Sequence, residues 1–377
     1  MVRTRRRMPA VRMPHLSRPI VCRSMMAVVA LAGLYLVGSG PAPTMSAAGS
    51  AASYRLLRID PCLTDPAMAC DNTKKGGHVP HLVYVPLHPP AHPQLAVFFP
   101  GTGARPSYYT PVAETLAQRG WFVIDLRYTT TVATENACPN VDAKTDPECY
   151  RRFRAESVFG ENVQDPTGHA YNYMATRVDK VNSVMNRLLK LVGYLSAHPA
   201  LGGAGWTQFL AVHNGACSSY NTVYGACDLE WSRLALGGHS QGAGVALYLA
   251  KFYKVARVAM LSGPEDAYVL PNGTVAASWI AEGRFATPVD DIYGFTQVND
   301  PFYQRQTAAW AALGLPGPVT PYAPNQPLGV GHRIVTSITP ACPQLGGALA
   351  AHSATSVIGC VDLPGYAAVW SAMFGAR

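Results

Sequence analysis

The pentapeptide Gly238-His239-Ser240-Gln241-Gly242 is the stretch of this chain best suited to chemistry. An apolar run, Leu234-Ala235-Leu236, precedes it, and a second apolar run, Ala243 to Phe252, follows. The first is short enough for a strand and the second long enough for a helix. The pattern is therefore G-x-S-x-G at a strand–turn–helix junction. A turn this tight leaves no room for a Cβ two residues before or two residues after the serine, and glycine fills both places. The strained turn would lift the Ser240 hydroxyl above the sheet edge. The helix behind it would point its first N–H groups at the same spot, where they favour a developing negative charge. Three fixed small residues also recur by chance in a chain with 34 glycines, so the pentapeptide needs support from the rest of the sequence.

The elements that must position this serine read as alternating strands and helices. Tyr54 to Ile59 and His81 to Leu87 read as early strands. Leu95 to Phe99 is a continuous apolar run, the pattern of a strand buried on both faces. Pro100-Gly101-Thr102-Gly103 breaks it. Thr110-Pro111 opens a helix that Gly120 closes, and Trp121 to Leu126 is another buried strand. Apolar residues at 178, 181, 185, 188, 192 and 195 share one helix face. After the serine turn come strands at Val255–Leu261, Ile292–Val298 and Arg333–Ile338, and helices at Gln304–Leu313 and Tyr366–Phe374. This alternation implies a parallel sheet covered on both faces, an α/β class protein. Two long polar segments, about 129–173 and 202–230, interrupt it.

From about Tyr84 to its end the chain resembles the α/β-hydrolase superfamily. The resemblance rests on the serine turn, on the Pro100-Gly101-Thr102-Gly103 loop after an early strand, and on the order of later acid and base candidates. It implies a mostly parallel central sheet with helices on both faces and disulfide-stapled loop insertions. It also implies a triad in the order Ser, Asp or Glu, His. The acid expected after the second strand beyond the serine is Asp300, in Val298-Asn299-Asp300-Pro301-Phe302; Asp266, one strand earlier, is the alternative. The base expected before the last helix is His352, with His332 as its rival. His332 precedes its strand, the wrong end for a parallel sheet whose site residues gather at the carboxyl ends. His239 would point away from the Ser240 side chain and pack or hydrogen-bond behind it. The oxyanion donors implied are the backbone N–H of Gln241 and a second from the loop after Phe99. Pro100 stands where many relatives carry His, so the second donor is Thr102, with Gly103 open beside it.

Composition bounds the rest. The chain has 377 residues, 49 % hydrophobic and 14 % charged, which suits a filled α/β core and argues against disorder. The net charge of +8 belongs to the first residues: seven arginines precede residue 49 with no Asp, Glu or Lys. Without them 23 basic residues face 22 acidic ones, so a nucleic-acid partner loses its main support. Those arginines, the apolar run Met25 to Val37 and Ser46-Ala47-Ala48 read as a signal peptide over residues 1–48. The run is too short to span a bilayer comfortably, so no stable membrane span is expected after cleavage. A single domain over 49–377, exported to the periplasm or beyond, would follow. Its eight cysteines fall into four close couples (62–70, 138–149, 217–227, 342–360), the simplest of 105 pairings. An oxidising compartment lets such bridges persist. No C-x₂-C couple, paired His, phosphate loop or dinucleotide fingerprint occurs, so neither metal nor cofactor is expected.

The function these features imply is an exported serine hydrolase that cleaves small or polymeric carboxylic esters through an acyl-enzyme. A non-catalytic binding protein, or a peptidase or lactonase on the same scaffold, is the alternative. Segments 129–173 and 202–230 would overhang the site. Their Tyr, Asn and small residues point away from a long-chain lipase. Asn272-Gly273-Thr274 matches a glycosylation acceptor but reads more simply as a turn. The sequence leaves the oligomeric state open.

Overall fold

The structure, a computed structural model, describes residues 53–68, 79–172, 176–324, 331–361 and 365–376. The expected signal peptide over 1–48 and Cys70 lie outside the described residues. Among the described residues nine strands form the central sheet: β1 (Tyr54–Ile59), β2 (His81–Pro86), β3 (Leu95–Phe99), β4 (Phe122–Asp125), β5 (Leu234–His239), β6 (Arg257–Leu261), β7 (Ile292–Gln297), β8 (Val319–Pro321) and β9 (Arg333–Thr336). Their order across the sheet is β1-β2-β4-β3-β5-β6-β7-β9-β8. β2 pairs antiparallel with β1 and with β4, and every other pairing is parallel.

The continuous apolar strands of the sequence are buried on both faces. Along β3, Leu95, Val97 and Phe99 point into one core layer, while Ala96 and Phe98 point into the other. β5 and β6 alternate likewise, Leu236 and Met260 against Ala235 and Ala259. Period-two alternation explains this: a strand with helices on both sides must be apolar at odd and even positions alike. One layer is closed by α2 (Cys149–Phe159), α3 (Val184–Ala197), α4 (Gln241–Phe252) and α5 (Tyr303–Leu313). The other is closed by α1 (Thr110–Ala117) and α7 (Gly365–Phe374). A short α6 (Gly347–Ser353) lies between β9 and α7. The mostly parallel sheet, its two helical layers and its stapled loops make an α/β-hydrolase fold.

Several elements differ from expectation. α3 begins at Val184, after the apolar residues Val178 and Val181, because Ser183 caps it: its hydroxyl accepts from the Asn186 N–H at 3.2 Å. The 129–173 segment is not wholly irregular. It contains α2, whose Cys149 is bridged to Cys138 and whose inward face is fully buried. Segment 202–230 does not overhang the serine. Trp206 and Phe209 pack on Phe122 at the amino end of β4, and the segment runs directly into the amino end of β5. Ser240 sits at the opposite end of that strand. The Cys217–Cys227 bridge joins two short hairpins there. Asn272-Gly273 closes a hairpin between Ala267–Leu270 and Gly273–Ala276, the turn reading rather than an open loop. The sequence reading missed this hairpin and β8.

Glycine sets how closely a helix can approach the sheet. At Gly294 on β7, a Cβ would lie 2.3 Å from the Trp310 ring of α5. Trp310 is fully buried and donates from Nε1 to the Gly263 carbonyl at 2.9 Å, so it cannot swing aside freely. Gly294→Ala should therefore cost at least about 1–3 kcal/mol through overpacking. Urea unfolding would measure it, and a midpoint equal to that of the unsubstituted protein would refute the account.

Candidate active site

Ser240 has φ 56° and ψ −122°, a left-handed backbone that an ordinary residue adopts only when its surroundings over-determine it. Three observations supply that constraint. The Ser240 N–H donates to the Leu261 carbonyl at the end of β6, 3.0 Å away. A Cβ on Gly238 would sit 2.3 Å from the Gly242 backbone. A Cβ on Gly242 would sit 1.9 Å from the Phe99 carbonyl oxygen. The glycines two before and two after the serine are thus required by backbone contacts, as the pentapeptide implies.

The turn delivers the hydroxyl into a buried cluster of acid and base groups. Asp300 follows β7 and His352 lies on α6. His352 Nδ1 is 2.9 Å from Asp300 Oδ2. Asp300 is held by three further groups: the Phe302 N–H donates to Oδ1 at 2.8 Å, Gln306 Nε2 to Oδ2 at 3.0 Å, and the Thr296 hydroxyl to Oδ2 at 3.5 Å. Burial works to raise this carboxyl. The His352 charge and the hydrogen bonds outweigh it and hold the carboxyl below its usual range. The Cys342–Cys360 bridge encloses the segment that carries His352, and the Ser262 and Thr355 hydroxyls, 2.9 Å apart, tie that segment to the end of β6.

The sequence reading missed the partner of the serine itself. The Ser240 hydroxyl donates to Glu265 Oε1 at 2.9 Å. The same oxygen lies 3.3 Å from His352 Nε2. Glu265 follows β6, just after the cis Gly263–Pro264 peptide. Burial pushes its carboxyl well above the usual carboxylate range, the His352 charge opposes this, and Glu135 and Asp300 add to it. Burial opposes charge on His352, but Asp300, Glu265 and Glu135 together raise it above its ordinary value. A signal for Glu265 was present in the sequence. Gly263-Pro264-Glu265-Asp266 places two adjacent carboxylates at the carboxyl end of a strand next to the serine strand.

Asp266, the alternative acid, points elsewhere. Its carboxylate takes two hydrogen bonds from Arg154 of α2, from Nε at 2.9 Å and from the second guanidinium nitrogen, and one from Trp279 Nε1 at 2.9 Å. Both charged side chains are fully buried. Arg154 also donates to the Gln241 carbonyl at 2.7 Å, and a Cβ on Gly244 would collide with its guanidinium. The ion pair therefore braces the first turn of α4 from below. His332 lies outside the cluster, stacked on Tyr293 and hydrogen-bonded to the Ile292 carbonyl at 2.9 Å.

His239 packs behind the serine. Its Nε2 is 2.9 Å from the His352 carbonyl and its Nδ1 is 3.1 Å from the Tyr109 hydroxyl, which accepts from the Gly101 N–H at 2.9 Å. Burial and the nearby His352 charge lower its pKa to about 3, so it stays neutral. A carbonyl at one nitrogen requires an Nε2–H tautomer, and the Tyr109 hydroxyl then donates to Nδ1. One imidazole thus joins the His352 segment to the loop after β3. In that loop the Gly103 N–H is taken by the Thr130 carbonyl at 2.8 Å. The Thr102 hydroxyl donates to Gln241 Oε1 at 2.7 Å, which sets the two expected oxyanion residues side by side.

Among the described residues one cluster has metal-ligand proximity, Asp142, Asp146 and Cys149. The Cys149 sulfur is committed to Cys138, so it offers no thiolate. Also among the described residues, no helix is long and apolar enough to cross a membrane.

No protein-family model matches the chain, and neither does any curated protein. Similar solved structures include esterase B from Lactobacillus rhamnosis inhibited by a C4-C4 SN3 tributyrin phosphonate. It is 11 % identical with a TM-score of 0.37, over 79 % of this chain and 77 % of that one. A thermostable esterase from Pseudomonas putida ECU1011 is 13 % identical with a TM-score of 0.35, over 86 % and 80 % of the two chains.

Removing one partner of the Arg154–Asp266 pair leaves a buried charge uncompensated. Arg154→Ala should cost about 3–5 kcal/mol, read as a lowered denaturant midpoint. A loss under about 1 kcal/mol, the size expected of an exposed pair, would show that the pair braces nothing.

Proposed function

We propose that this protein is an exported serine hydrolase of carboxylic esters. The observation that carries the reading is the strained Ser240, whose hydroxyl enters a buried acid–base cluster holding an imidazole and two carboxyls. Strain of this kind is kept where function requires it. Ser240 is the nucleophile, His352 moves protons, and Asp300 fixes the imidazole tautomer and stabilises its charged form. Ser240 attacks the ester carbonyl, the alcohol leaves, and water releases the acyl group. The Gln241 N–H, at the first position of α4, and Thr102 are the proposed donors to the oxyanion. Losing one such donor typically costs about 3 kcal/mol of transition-state stabilisation.

Two further parts of the reading have separate support. The three bridges among the described residues favour an oxidising compartment, consistent with a cleaved leader over residues 1–48. Segment 129–173, rich in Tyr, Asn and small residues rather than long aliphatic ones, favours short acyl groups.

The purified mature protein should hydrolyse a short-chain p-nitrophenyl ester and take up a fluorophosphonate label, and Ser240→Ala should lose both. A folded, disulfide-bonded preparation with neither turnover nor label would favour a binding protein instead. Across p-nitrophenyl esters of graded acyl length, kcat/KM should fall as the chain lengthens; a clear preference for long chains would sink the short-acyl reading.

A further inference from the structure

The nucleophile and the imidazole are joined through a third group. Glu265 Oε1 accepts from the Ser240 hydroxyl at 2.9 Å and lies 3.3 Å from His352 Nε2. A hydroxyl has one proton, and here it is directed at the carboxylate. The imidazole meets a carboxylate oxygen at each nitrogen, Asp300 at Nδ1 and Glu265 at Nε2. Two acceptors on opposite nitrogens suit an imidazolium, which has two N–H donors. A neutral ring would face one carboxylate with a bare lone pair. We propose that Glu265 is a second catalytic acid–base of this site, taking the Ser240 proton directly while His352 begins each turnover as the proton donor to the leaving alcohol. The inference rests on the serine-hydrolase reading and changes its proton route.

The steps balance. The Ser240 O–H bond breaks, its proton passes to Glu265 Oε1, and the Oγ–carbonyl bond forms as the carbonyl π pair moves onto oxygen. The oxyanion collapses, the bond to the leaving alkoxide breaks, and the alkoxide takes the Nε2 proton of His352 and departs as alcohol. Water then adds to the acyl carbon and gives a proton to the now neutral His352. On the second collapse Oγ leaves and recovers its proton from Glu265. Ester and water have become acid and alcohol, and Glu265 is again a carboxylate beside an imidazolium.

The surroundings suit both partners. Ser240 from the turn, His352 from α6, Asp300 from the loop after β7, Glu135 from the segment after β4 and Arg154 from α2 all act on Glu265. Arg154 gives side-chain hydrogen bonds to Asp266, the chain neighbour of Glu265, so the direct contact with the Glu265 carboxyl is left to His352 and Ser240. Burial raises the Glu265 carboxyl to about 8, which strengthens its carboxylate as a base towards a serine hydroxyl and means that this base form, and kcat/KM with it, should rise as pH rises through that value. The two carboxylates beside His352 raise the imidazole and keep it charged before substrate binds.

The test uses the mature protein, with Glu265→Gln and Glu265→Asp beside it. Glu265→Gln keeps the shape of the side chain and removes the base. The rate of fluorophosphonate labelling at Ser240 should fall at least about 100-fold, and the acid limb of kcat/KM against pH should disappear. Glu265→Asp should recover part of the rate. Labelling of Glu265→Gln at the unsubstituted rate, with an unchanged pH profile, would overturn the proposal. Should Glu265→Gln not fold, ¹⁵N NMR of the imidazoles in the unsubstituted protein decides. The proposal requires His352 to be doubly protonated near neutral pH in the free, active protein, and a neutral ring there would overturn it. If the unsubstituted protein is itself not labelled at Ser240, the serine-hydrolase reading fails. Normal labelling that is indifferent to Glu265 defeats this inference alone.

Discussion

Three carboxyl groups, of Glu265, Asp266 and Asp300, are buried at the carboxyl ends of two adjacent strands, and the chain places the Arg154 guanidinium and the His352 imidazole among them. Buried charge is tolerable only when it is paired and hydrogen-bonded. Most of the structure around the serine serves that requirement. Arg154 takes Asp266 entirely, through two hydrogen bonds and a supporting Trp279 N–H. His352 is left between Asp300 and Glu265. Each carboxylate at the strand ends therefore has a distinct electrostatic setting, although two of them are neighbours in sequence.

This division explains why elements far apart in the chain must meet at one place. Arg154 arrives on α2, stapled at its first residue by the bridge to Cys138, and it fits because Gly244 leaves the surface of α4 bare. His352 arrives on a short helix inside the Cys342–Cys360 loop and is tied to the end of β6 through Thr355. His239 joins the His352 segment to Tyr109 and Gly101 across the back of the cluster. These contacts over-determine the positions of the side chains. Hydrogen bonds near 3 Å between buried side chains need such support, because they weaken steeply with distance and angle.

The strained serine is the second consequence. A left-handed serine is unfavourable alone, and it persists because β6 accepts its N–H and because backbone atoms approach where Gly238 and Gly242 have no Cβ. The same strain turns the hydroxyl off the line of β5 and into the carboxylate–imidazole cluster. Side-chain direction and fold are coupled at this turn: the close contact between Gly242 and the Phe99 carbonyl that packs α4 on the sheet also aims the Ser240 hydroxyl.

Much of this was legible in the residues. Period-two burial on both faces marked β3, β5 and β6, and turn glycines marked the serine. Chain order, through the family resemblance, paired Asp300 with His352, and the structure sets their side chains 2.9 Å apart, since topology puts the carboxyl ends of parallel strands on one edge. The sequence could not assign partners. Glu265 and Asp266 are adjacent, equally acidic and equally close to a strand end, yet alternate backbone directions send one to Ser240 and His352 and the other to Arg154. Arg154 itself lies in a segment that reads as irregular, and nothing in its local pattern announces a buried ion pair 112 residues away. The 202–230 segment was placed at the site because long polar insertions often lie over one, whereas its aromatic residues bury against the amino end of β4. Local pattern determined which elements form and which end of the sheet carries Ser240, Asp300 and the two carboxyls after β6. Only tertiary packing decided which charge meets which, because pairing inside a protein depends on side-chain direction and distance, and neither is encoded by neighbours in sequence.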